Sequence, residues 1–93
     1  MYNGFMSTSK WIKDIEEKLG IVTKWRGRHY SAYCKNLSPG APTGFGDDET
    51  EAKFDLLARL MVSHITILKR VRELMGEEGF EENVRNVFIL KKS

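Results

Sequence analysis

A single cysteine, Cys34, excludes an internal disulfide. With His29 and His64 as the only histidines, the chain also lacks the ligand spacing that structural zinc requires. Both absences suit a reducing, cytoplasmic setting, and no metal or cofactor is expected. The longest uncharged apolar run, Leu60 to Leu68, is far shorter than a membrane span. The stretch Met1 to Lys10 lacks the apolar centre of a signal peptide, so the expectation is a soluble protein. No internal repeat or low-complexity tract interrupts the chain. No acidic residue occurs from Ile21 through Gly46.

Catalytic constellations are missing too. Cys34 and His29 are five apart on a stretch that reads as a strand, so their side chains fall on opposite faces and cannot pair as nucleophile and base. Gly44-Phe45-Gly46 lacks the lysine and the further glycine of a phosphate loop. These gaps argue against an enzyme. Fifteen basic against thirteen acidic residues leave a net charge of +2, too small to imply a nucleic-acid or membrane partner without local concentration of charge.

With 93 residues and 41% hydrophobic content, the chain suits one domain spanning residues 1–93. Met6, followed by Ser7-Thr8-Ser9, reads as an alternative start, which would leave residues 1–5 an extension, and residues 1–6 are expected to be loose. The fold class is α+β: a short N-terminal helix, an antiparallel β-hairpin with room for a third short strand, a long amphipathic helix and a short C-terminal helix. Trp11, Ile12, Ile15 and Leu19 give the first helix its apolar face, and Gly20 ends it. Ile21 to Arg26 and His29 to Lys35 read as strands joined at Gly27-Arg28. With Arg26 opposite His29, one face carries Ile21, Thr23, Trp25, Tyr30, Ala32 and Cys34. The other face carries Val22, Lys24, Arg26, His29, Ser31, Tyr33 and Lys35. The first is the core face and the second is basic and wet.

Asn36 to Gly46 holds both prolines and three glycines, a loop with a candidate strand near Thr43 to Phe45. The long helix is then marked by Phe54, Leu57, Leu60, Met61, His64, Ile67, Leu68, Val71, Leu74 and Met75 at steps of three and four. Asp48 and Glu51 form a capping box at its start, and Gly76 stops it. Residues 49 to 75 at 1.5 Å each would reach about 40 Å, against a radius of gyration of about 12 Å for a compact chain of this size. Two outcomes follow: the helix overhangs and pairs with another copy or with a partner protein, or it bends near Ser63 and folds back. The first makes Leu57, Leu60, His64, Ile67, Val71 and Leu74 an association seam, with a homodimer favoured. Phe80, Val84, Val87 and Phe88 favour a last helix, although the branched residues of Val84 to Leu90 also suit a strand.

The run Gly44-Phe45-Gly46-Asp47-Asp48-Glu49-Thr50-Glu51-Ala52-Lys53 resembles the strand-to-helix junction of HicB-type antitoxins, and its Gly-x-Gly and Ala-Lys spacing is similar to that of double-stranded-RNA-binding domains. The resemblance covers roughly residues 9 to 60. In the RNA-binding family this helix opens with lysines that meet phosphate, whereas here Asp48, Glu49 and Thr50 stand in the first turn. Small phage accessory proteins that inhibit a host machine are of similar type. The leading expectation is a non-enzymatic, self-associating module that binds a macromolecular partner through Lys24, Arg26, Arg28, His29, Tyr33 and Lys35, as a regulator or inhibitor. A protein partner is favoured over nucleic acid. The alternative is a nucleic-acid-binding protein using that same hairpin face, and a third class is a small-ligand binder with Trp25, Tyr30 and Phe45 around a pocket.

Overall fold

A computed structural model describes residues 13–37 and 39–92, with side chains as far as Val87. Trp11, Ile12, the Ser7-Thr8-Ser9 cluster and the extension expected over residues 1–6 lie outside the described residues, as does the side chain of Phe88. The fold is α+β. Helix α1 (13–19) leads through Gly20 into β1 (Ile21–Trp25), β2 (Tyr30–Cys34) and β3 (Gly44–Gly46). Three helices follow: α2 (Glu49–Met61), α3 (Ile65–Met75) and α4 (Glu77–Lys92). The strands pair antiparallel in the order β1-β2-β3.

The hairpin forms in the expected register. Trp25 pairs with Tyr30 and Ile21 with Cys34, and the Arg26 N–H donates to the His29 carbonyl at 2.8 Å. Gly27 has φ of +95° while no non-glycine residue has positive φ among the described residues. Glycine first and an ordinary residue second is the II′ arrangement, whose twist matches that of the strands.

β3 sits where the sheet meets its main helix. Gly46 opposes Tyr30 and Gly44 opposes Ala32, so both glycines face the core. A Cβ built on Gly44 would lie 2.3 Å from the Leu56 nitrogen and 2.5 Å from the Ala52 carbonyl oxygen. One on Gly46 would lie 2.5 Å from the Ala52 nitrogen. Backbone therefore touches backbone, and α2 lies directly on β3. Ala52, Leu56, Leu57 and Leu60 of α2 close over Ala32 and Cys34, joined by Ile15 and Leu19 of α1, Val71 and Met75 of α3 and Val87 of α4. The other face of the sheet carries no helix among the described elements that touch it.

The start of α2 is capped much as the residues predict. Asp48 accepts from the Glu51 N–H at 2.8 Å, while Glu51 reaches one residue past its capping partner and accepts from the Asp47 N–H at 2.8 Å. The long helix, however, does not continue to Met75. It ends at Met61, and the chain turns through Val62-Ser63-His64 before α3 begins. Two side chains make the break. The Ser63 hydroxyl donates back to the Arg59 carbonyl at 2.9 Å, taking the place of a continuing backbone bond. His64 Nδ1 accepts from the Thr66 N–H at 3.2 Å and so acts as the N-cap of α3. Folding back returns Val71 and Met75 to the core, and the whole molecule measures 38 × 31 × 23 Å.

The C-terminal segment is helical, and it is longer than expected. Gly76 separates α3 from α4, and its carbonyl accepts the Phe80 N–H at 2.9 Å. The Arg72 guanidinium stands 4.8 Å from the Phe80 ring centre, which ties the two helices together on their outer side. Inside, Asn83 is fully buried; its Nδ2 donates to the Met61 sulfur at 3.6 Å, and its Oδ1 has no partner among the described residues.

Two substitutions test this packing. Gly44→Ala forces a methyl group into the α2 backbone and is expected to cost about 3 kcal/mol, whereas Gly40→Ala, with nothing within 4 Å of the new Cβ, should leave the urea midpoint nearly unchanged. Equal effects would show that α2 does not lie on β3. Replacing the imidazole cap with a carboxylate, His64→Asp, should raise stability by about 0.5–1 kcal/mol, because an acid suits a helix N-terminus better. A fall in melting temperature would contradict the capping role.

Candidate macromolecule-binding face

On an antiparallel sheet alternate residues share a face, so the pairings define what the uncovered side presents. Val22 and Lys24 come from β1, Ser31 and Tyr33 from β2, and Phe45 from β3. Arg26 and His29 extend the pattern at the turn, and Lys35 extends it past Cys34. Tyr33 is 38% exposed and Phe45 46% exposed, which is unusual for two rings so close together on a sheet. Phe45 opposes Ser31, so it lies diagonal to Tyr33, at a spacing of about 7–8 Å for such positions. Between them Ser31 is fully buried, and its hydroxyl accepts from Arg26 Nε at 3.0 Å. That bond lays the Arg26 guanidinium across the floor of the face. His29 packs edge-on against Phe45, ring centres 5.3 Å apart and 79° between planes.

No strand residue is acidic. Lys24, Arg28 and Lys35 have no carboxylate within ion-pair distance among the described residues, nor does Arg26. Arg59 adds a further cation at the β3 border, 5.9 Å from the Phe45 ring centre, although its Nε is engaged by Asp55 at 2.7 Å. Asp47, next after β3, is exposed, and the other acids near the sheet are engaged. Glu49 accepts from the Thr23 hydroxyl at 3.3 Å on the covered side, Asp48 and Glu51 are held in the capping box, and Asp55 takes the Phe45 N–H at 2.9 Å at the sheet border. Beside the sheet, a cleft of about 340 Å³ is lined by Arg26, Tyr33, Lys35, Leu37, Pro39 and Pro42, among others.

All six side chains expected to contact a partner, Lys24, Arg26, Arg28, His29, Tyr33 and Lys35, therefore belong to one end or face of the same sheet. Phe45 was expected only as a pocket wall, with Trp25 and Tyr30; those two rings meet on the opposite face, centres 5.0 Å apart and planes tilted by 57°. The Gly-Phe-Gly alternation carried the signal, since two glycines against a helix turn the residue between them outward. Trp25, assigned to the core face, is 54% exposed. It lies at the end of the sheet where α2 begins, one alternation beyond the Thr23 contact.

The expected association seam is divided. Leu57, Leu60 and Val71 are buried within the chain itself, Ile67 and Leu74 are half-buried against the same core, and His64 is exposed. The bend at Ser63 is the cause, because it turns the second half of the stripe inward. It leaves Val62, 84% exposed, and Ile65, 63% exposed, at the α2–α3 elbow. Among the described residues no cluster of three or more His, Cys, Asp or Glu side chains is placed to hold a metal ion, and no helix is long and apolar enough to cross a membrane. No family model matches the chain, and no solved structure matches it.

Cys34 faces the core, away from His29. Burial pushes its thiol up from 9.0 to about 12. The thiolate is thus absent near neutral pH, and alkylation by iodoacetamide at pH 8 should require unfolding. The sign for stability follows from the same shift. The unfolded thiol ionises first, so its contribution is complete below pH 9 and is lost at about 1.4 kcal/mol per pH unit as pH rises toward 12. Cys34→Ala should flatten that alkaline decline; an unchanged decline would place its cause in other groups.

Proposed function

We propose that the chain is a non-enzymatic binding module whose open sheet face takes single-stranded nucleic acid. Bases stack on Tyr33 and Phe45, and phosphates meet Lys24, Arg26, Arg28 and Lys35. The observation that supports this most strongly is the coincidence of two exposed rings, diagonal on adjacent strands, with four cations that have no carboxylate partner among the described residues, on a sheet without strand acids. Stacking on aromatic rings and charge along the backbone are the two contributions from which sequence-tolerant single-strand binding is built. The distribution of acids favours a single strand over a duplex. A strand crossing the sheet meets at most Asp47 at the β3 end, whereas a duplex docking along the start of α2 would meet Asp48, Glu49 and Glu51 as well.

A protein partner, for a regulator or inhibitor, is favoured by a different observation: the bare apolar elbow at Val62 and Ile65, beside a shallow groove lined by Leu68, Arg72 and Phe80. Its size is small, about 120 Å³, and the sheet face carries more of the chemistry. The resemblance to HicB-type antitoxins and double-stranded-RNA-binding domains is compatible with either partner class.

Fluorescence anisotropy with short labelled oligonucleotides tests the proposal. Four phosphate contacts to a single strand give a log–log salt slope of about −3, so raising salt from about 50 to 200 mM should weaken binding about 50-fold. Tyr33→Ala and Phe45→Ala should each cost about 1–3 kcal/mol. Absence of binding at low salt, or a preference for duplex over single strand, would contradict it.

A further inference from the structure

The two borders of the sheet are treated differently. The bonds Arg26 N–H to His29 carbonyl at 2.8 Å and Lys35 N–H to Gly20 carbonyl at 3.0 Å close the hairpin at both ends. Antiparallel pairs alternate between bonded and non-bonded positions, so Val22 and Lys24 bond inward to β2. Ile21, Thr23 and Trp25 therefore turn their backbone N–H and C=O groups outward. The same alternation turns the Phe45 N–H outward on β3, and there the Asp55 carboxylate of α2 takes it at 2.9 Å. One border is closed by a helix side chain. On the β1 border, the outward backbone groups of Ile21, Thr23 and Trp25 have no partner among the described residues.

An unprotected row of backbone donors and acceptors is a template for another strand. We propose that a second copy of the chain occupies it, β1 against β1, antiparallel about a two-fold axis at Thr23, to give one six-stranded sheet. The side chains select this occupant and this register. Only outward-turned residues can form bonded pairs, so the axis falls on Ile21, Thr23 or Trp25. At Thr23 all five residues of β1 pair: Thr23 with the partner's Thr23, Ile21 with the partner's Trp25, and Val22 with the partner's Lys24. Threonine with threonine and a β-branched residue with an aromatic are favourable cross-strand pairs. No lysine meets a lysine. An axis at Trp25 would instead set Lys24 against the partner's Arg26, and one at Ile21 would run the pairing into α1. Three bonded pairs supply two backbone bonds each, and the half-exposed Trp25 gains an apolar neighbour. A two-fold axis normal to the sheet leaves both open faces on the same side, so the basic, aromatic surface doubles in length. The pairing does not depend on what that surface binds.

Sedimentation equilibrium of the full chain at micromolar concentrations should give a mass about twice the 10.7 kDa of one chain. Val22→Lys changes a half-buried side chain on the open face, outside the core, and sets like charges against the partner's Lys24. It should weaken association at least tenfold while circular dichroism and melting of the monomer stay those of the parent. Thr23→Pro removes the central outward donor without touching the β1–β2 ladder and should do the same. If Thr23→Pro fails to fold, Val22→Lys decides alone. A parent that stays at the monomer mass throughout, or a Val22→Lys variant that keeps the parent's dimer, would overturn the proposal.

Discussion

The contact that the rest of the structure depends on is the one between backbone and backbone where α2 rests on Gly44 and Gly46. A side chain at Gly44 would need space that Ala52 and Leu56 occupy to within 2.6 Å, and one at Gly46 would meet Ala52 and Glu51 within 2.7 Å, so the helix would have to lift away from the sheet. Much follows from that single approach. Ala52, Leu56, Leu57 and Leu60 reach the small residues of β2 and exclude water completely, giving a modest chain a continuous apolar core. The Asp55 carboxylate comes within reach of the Phe45 N–H and closes the β3 border. Phe45, fixed between two glycines that face inward, faces outward.

The same layering sorts the charges. Acids at the start of α2 serve its capping box and its dipole and stay on the covered side or at the border. The cations of the hairpin have no such structural employment, apart from the bond of Arg26 to Ser31. A nearly neutral chain thus presents one face with a net positive field. Net charge alone hides this, because the opposing charges are separated in space and not diluted among one another.

How much of this was legible in the residues differs by element. The hairpin, its register and its basic face were readable because a glycine at the first turn position and strict alternation leave few other arrangements. The cap of α2 was readable for a similar reason, since Asp48 and Glu51 stand at the one spacing that lets both reach backbone donors. The break at Val62-Ser63-His64 was only one of two possibilities. Neither proline nor glycine marks it, a histidine is an uncommon cap, and the apolar steps of three and four run through the bend unaltered. Periodicity reports which residues face a core, and it is blind to whether that core belongs to the same helix axis. Val71 falls on the apolar stripe of a straight helix and is fully buried in the folded-back arrangement as well. The length of α4 escaped because Gly79 lies inside it, where glycine usually argues against a helix, and the outward turn of Phe45 was carried by the Gly44-Phe45-Gly46 alternation, although how closely α2 lies on those glycines is a distance that no local pattern encodes.

We propose that the uncovered sheet face, and not the helical elbow, meets the partner. Amide chemical-shift mapping with a short single-stranded oligonucleotide tests it residue by residue. Shifts are expected to concentrate at Lys24, at Tyr30 through Lys35 and at Gly44 through Gly46, with α3 and the start of α4 unmoved. Shifts concentrated at Val62 through Leu68, or none anywhere, would contradict it.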